Sequence, residues 1–120
     1  MIAALQARDA QVRAHEAAHL AAAGGLARGG ASYTYERGPD GKAYAVGGEV
    51  SLDTSAVPGN PAATLAKAQQ IQAAALAPAD PSAQDRSVAA AASAMAAQAQ
   101  IDLQRSHAGT ASGERLDVMA

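Results

Sequence analysis

Ile2, Leu5 and Val12 recur at helical intervals along the first twenty-odd residues, and His15 and His19 extend the same stripe. The spacing predicts one helix over Ile2–Ala23, stopped by Gly24-Gly25 as a C-cap. The period then shortens. Residues 33–37 and 42–53 alternate and are rich in β-formers, and Gly38-Pro39-Asp40-Gly41 between them carries the residues of a tight turn, which together predict a β-hairpin. On its second strand Tyr44 and Val46 share a face, Val50 and Leu52 share a face with Glu49 pointing away from them, and Gly47-Gly48 marks a candidate bulge. Asn60-Pro61 reads as an N-cap followed by proline at the first helical position, opening a second helix to about residue 77. Its expected stripe is Leu65, Ala68, Ile71 or Gln72, and Leu76, with Pro78 and Pro81 as breakers. Ser82-Ala83-Gln84-Asp85 is a capping box with aspartate in place of glutamate. It starts a third helix to about Arg105 that would bury Val88, Ala92, Met95, Ala99 and Leu103.

These elements predict an α+β fold: a first helix, a β-hairpin laid against it, and two alanine-rich helices completing the core. The expected organisation is one domain over 1–105 and a flexible polar tail over 106–120. Composition sharpens the picture. The 120 residues include no Phe, Trp or Cys, and only 2% are aromatic, so the core must be made of small side chains and each contact contributes little. In so small a domain a bound ion would stabilise the fold as well as serve chemistry. Without cysteine, any transition-metal site must draw on His, Asp and Glu.

The net charge of −2 and scattered lysines and arginines exclude a basic nucleic-acid surface. The alanine-rich stretches are interrupted by polar residues too often to span a membrane, and no secretory signal is visible, so the default expectation is cytoplasmic.

The chemistry concentrates in residues 12–20, VRAHEAAHL. His15, Glu16 and His19 form the H-E-x-x-H pattern: on a helix, residues four apart lie about 40° apart around the axis, so both imidazoles face one ion. Glu16 would then act as general base on a water at a Zn2+ ion, and the activity expected is hydrolysis of a peptide or protein substrate. A catalytic zinc usually has three protein ligands. After His19 the next histidine is His107, so the third ligand is open among Glu49, Asp53, Asp80, Asp85 and His107. Glu49 ranks first, because a returning strand could carry it over the first helix, while Asp85 reads as a cap and His107 falls in the expected tail. Tyr33, Tyr35 or Tyr44 could offer a hydroxyl to an oxyanion. The competing reading is non-catalytic: a structural metal site, or an interaction module made of the alanine-rich helices.

Three segments taken together carry a resemblance: VRAHEAAHL at 12–20, YTYERGPDGKAYAVGGEV at 33–50 and APADPSAQDRSVA at 77–89. They resemble the bacterial SprA-related family of metallopeptidases, over about residues 12–99. The resemblance implies a minimal zincin-like core, a zinc peptidase assignment carried by His15, Glu16 and His19, and added weight on Gly48-Glu49-Val50 and so on Glu49 as the third ligand. Family members are typically longer, with an extended N-terminal part, so this chain looks like their core. Better-known zincins place a sheet before the zinc helix; here the hairpin after it would have to receive an extended peptide by strand addition.

Overall fold

The computed structural model describes the backbone of residues 1–119 and the side chains of residues 1–106. The expected tail over 106–120, with His107, therefore falls almost wholly outside the described side chains. The chain folds as α+β, in the order α1 (Ile2–Ala23), a 3₁₀ turn (Gly24–Leu26), β1 (Ser32–Arg37), β2 (Ala43–Glu49), α2 (Pro61–Ala75) and α3 (Ala83–Met119). Among the described residues no helix is long and apolar enough to cross a membrane.

The local signals act where the residues place them. Gly24 ends α1 at φ 54°, and Gly41 takes φ 80° in the hairpin turn, a conformation that favours glycine. Gly38 N–H donates to the Lys42 carbonyl at 2.8 Å and closes that turn. Asn60 accepts from Ala63 N–H at 3.1 Å with Pro61 at the first helical position. The Ser82–Asp85 box is reciprocal: Asp85 N–H donates to Ser82 Oγ at 3.0 Å, and Ser82 N–H to Asp85 Oδ2 at 2.8 Å.

β1 and β2 pair antiparallel from Ser32↔Glu49 to Arg37↔Ala43. Thr34 pairs with Gly47 and Tyr35 with Ala45, so the extra residue is Val46, one position before the expected glycine pair. A bulge twists and re-aims the strand beyond it. Past β2, Arg28 N–H donates to the Ser51 carbonyl and Asp53 N–H to the Leu26 carbonyl, at 2.8 and 2.9 Å. The regular strand thus ends at Glu49, short of residue 53, and a single bridge, Ala27↔Leu52, continues the pairing.

Side chains of α1 key the hairpin in place. The Arg8 guanidinium donates twice to the Val46 carbonyl, at 2.9 and 3.0 Å, and Asp9 accepts from Ala45 N–H at 2.7 Å. That amide, then the Arg13 guanidinium beside it, holds the Asp9 carboxyl below its ordinary pKa against the opposing effect of desolvation. On the other side α2 packs against α3; the buried alanines of the two helices are Ala68, Ala74, Ala75, Ala89, Ala92 and Ala99, with Ile71 as the large side chain fully buried there. Two expected stripes shift. Leu76 is the C-cap of α2 and 42% exposed, while Thr64, Ala68, Ile71, Ala74 and Ala75 face inward. In α3, Ala89 is buried, and Val88, Met95 and Leu103 are only half-buried.

Candidate metal centre

On α1, Glu16, His19 and Ala23 are buried, and the expected stripe residues Leu5, Val12 and His15 are half-buried. Ile2 is 36% exposed. What covers the helix decides this: β2 reaches it from Arg8 to Glu16, and α2 adds contacts at His19 and Ala23.

His15 and His19 converge as their spacing requires, with Nε2 atoms 3.3 Å apart. The third group to meet them is Asp85, brought in by the first turn of α3. Its Oδ2 lies 2.9 Å from His15 Nε2 and its Oδ1 3.1 Å from His19 Nε2. One ligand atom from each of the three residues falls within 4.8 Å of the others. Donor atoms about 2.0–2.1 Å from a tetrahedral zinc are about 3.3 Å apart, so these separations fit such an ion.

The tautomer of His19 strengthens the fit. Its Nδ1 lies 2.8 Å from the Ala74 carbonyl in α2, and a carbonyl only accepts, so Nδ1 carries the proton. In the neutral imidazole Nε2 then presents a lone pair toward the Asp85 carboxylate and His15. Acceptors facing one another in this way require a proton or a cation between them. For Asp85, partial burial raises the pKa, but the amide and hydroxyl of Ser82, and then His19 and His15, outweigh it, so the carboxyl titrates below its ordinary value.

Glu16 is 4% exposed. Desolvation pushes its carboxyl above the ordinary range; His15 and His19 oppose that shift, and Asp85 and Glu49 add to it. Among the described residues no hydrogen bond reaches its carboxylate. Glu16 lines a cleft of about 310 Å³ together with His15, His19 and Asp85, bounded by Val50 and Leu52 on one side and by Gln84 and Val88 of α3 on the other. A buried carboxylate and a three-member group that could hold an ion thus open into one space.

A model of the SprA-related family matches residues 1–113. The chain belongs to the SprA-related family. No curated protein and no solved structure matches it.

In this SprA-related chain the GGEV segment has a steric reason. A Cβ at Gly48 would lie 2.9 Å from Glu16 Cγ and 3.0 Å from the Tyr33 ring, so only glycine lets β2 pass this close over the base. The same placement explains the position of Glu49. Side chains alternate along a strand, and it is residue 48 whose Cβ direction meets Glu16. Glu49 is exposed at the end of β2; it borders the cleft but is not in the convergent group. The carboxylate that meets the histidines is Asp85, whose Oδ2 both accepts from Ser82 N–H and faces His15 while its Oδ1 faces His19.

The other candidates are elsewhere. Asp53 accepts from Ser55 Oγ and N–H and pairs with Lys67 at 3.0 Å and Arg28 at 3.2 Å. Hydrogen bonds from Ser55, then from Lys67, hold its carboxyl far below the ordinary range. Asp80 is exposed and borders a shallower depression beside His15. None of the three tyrosines lines the cleft among the described residues. The Tyr44 hydroxyl donates to Asp40 in the turn, and Tyr33 lies under the Arg13 guanidinium, 5.0 Å from its ring centroid.

Proposed function

We propose that this domain is a zinc-dependent peptidase, with His15, His19 and Asp85 as the protein ligands and Glu16 as general base. The observation that carries the reading is the convergence of two imidazole Nε2 atoms and one carboxylate at 2.9–3.3 Å beside a buried carboxylate in the same cleft. Zinc, when bound, supplies a Lewis acid that polarises a carbonyl and makes water a stronger acid.

The remaining steps belong to the chain. Among the described residues no donor occupies the Glu16 oxygens, so the carboxylate is free to take a proton from a water in the cleft as that water attacks the peptide carbonyl carbon. As the C–N bond breaks, the same carboxyl returns the proton to the departing amine. Burial suits this exchange, because a raised pKa makes the carboxyl both a stronger base and a usable acid near neutral pH. His19 is held in one orientation by the Ala74 carbonyl, and Asp85 by the Ser82 amide, so the ligands are positioned before an ion arrives.

Metal analysis and cleavage assays test the reading together. Purified wild type should carry one zinc per chain, Asp85→Ala should lose it, and Glu49→Ala should keep it. Glu16→Gln should retain zinc while cleavage of a peptide library falls by about 10²–10⁴. A wild type without stoichiometric zinc, or a Glu16→Gln variant that cleaves normally, would overturn it.

A further inference from the structure

Beside the cleft lies an apolar chamber. A second cavity of about 160 Å³, lined by Thr54, Ile71, Val88, Ala91, Ala92 and Met95, shares its Thr54 and Val88 walls with the cleft that holds His15, Glu16, His19 and Asp85. All of its wall residues but Thr54 are apolar, and among the described residues no charged side chain lines it. The cleft itself is bounded by three carboxylates, Glu16, Glu49 and Asp85, so the two spaces differ sharply in character.

The strand beside the chamber has unused hydrogen-bonding groups. The Ser51 carbonyl and Asp53 amide pair with residues 26–28. By strand alternation the N–H and C=O of Val50 and Leu52 face the opposite edge. Among the described residues no hydrogen bond reaches those four groups, and both residues line the cleft. An extended peptide can satisfy them by pairing along this edge, which sets successive side chains alternately toward and away from the protein.

We propose that the Val50–Leu52 edge and the chamber form a substrate subsite, in which an extended peptide pairs with the strand and seats one unbranched or γ-branched aliphatic side chain, leucine or methionine, against Ile71, Val88 and Met95. The chamber volume accommodates a side chain of that size and leaves no polar partner for a charged one. Ala91 sets the limit: it lies on the rim, on the exposed side of α3, and a larger residue there fills the chamber from outside. The proposal rests on the peptidase reading for its substrate, although binding and cleavage can be measured separately.

The test uses the full chain carrying Glu16→Gln, which keeps the proposed ligands. Blocked eight-residue peptides, alike except for Gly, Ala, Leu, Met, Phe or Lys at one central position, are titrated by fluorescence anisotropy with and without zinc. Leu and Met peptides should bind at least about tenfold more tightly than Gly or Lys peptides. Adding Ala91→Leu should remove that advantage while leaving Ala-peptide binding and zinc content unchanged. Met95→Ala, the second variant, should move the preference toward Phe. Equal binding of all peptides, or a uniform loss in Ala91→Leu with circular dichroism unchanged, overturns the subsite. Loss of the peptidase reading looks different: side-chain selectivity would persist in a protein that holds no zinc or cleaves nothing.

Discussion

Side chains of α1 reach named backbone groups of the hairpin, Arg8 to Val46 and Asp9 to Ala45, whereas α2 and α3 meet mainly through methyl groups of alanine. The first contact is directional and fixes a register; the second is permissive and tolerates small slides. The candidate metal centre lies on the seam between them. His15, His19 and Glu16 come from the directional half, Asp85 comes from α3, and His19 is steadied by a carbonyl of α2. Precision at the seam therefore depends on both kinds of packing, and an ion there would join halves that few large side chains hold together.

The largest expected effect comes from breaking the seam itself. If zinc fills the site at about 1,000 times its Kd, it stabilises the fold by about 4 kcal/mol. Chelation should then lower the Tm on the order of 15 °C by calorimetry; an unchanged Tm would mean that the halves cohere without the ion. Next comes the permissive half. Ile71 is 1% exposed, and Ile71→Ala should cost about 2–4 kcal/mol in urea unfolding, while the folded fraction still binds zinc.

The directional half is probed at Gly48. Gly48→Ala should cost about 1–3 kcal/mol and depress cleavage further, because the new methyl displaces Glu16. Gly47→Ala, whose methyl would lie 3.8 Å from Thr34, should change either measurement little. The smallest effect is set by pH. The Asp9 carboxyl titrates below its ordinary value, chiefly through the Ala45 amide. Its contribution is thus present above the unfolded pKa of about 4 and lost as pH falls through the lower folded pKa. The Tm deficit of Asp9→Ala should be greatest near neutrality and shrink in acid; a deficit constant with pH would assign it to packing alone.

Much of the fold is legible in the residues because its signals are local. The glycine pair after Ala23, the GPDG turn, Asn60-Pro61 and the Ser82–Asp85 box each specify a terminus or a turn through a hydrogen bond or a φ angle that spans a few positions. The faces of the helices are harder to read. Alanine carries so weak a preference for burial that the stripe on α1 is read from Ile2, Leu5 and Val12, and nothing in that period marks Glu16 as buried. His15 and His19 announce themselves by spacing, but Asp85 does not, since a capping box accounts for it completely and no period links it to α1. The Ala74 carbonyl has no side-chain signature at all.

The dual use of Asp85 bears on the order in which the protein assembles. One carboxylate both starts α3 and meets the two imidazoles, so before α3 has docked the nascent α1 offers an ion only two nitrogens. Such a chelate would be weak and easily exchanged. On the zinc-peptidase proposal, capture of the ion would wait until α3 docks, and a chain without α3 in place would neither sequester metal nor expose an active cleft.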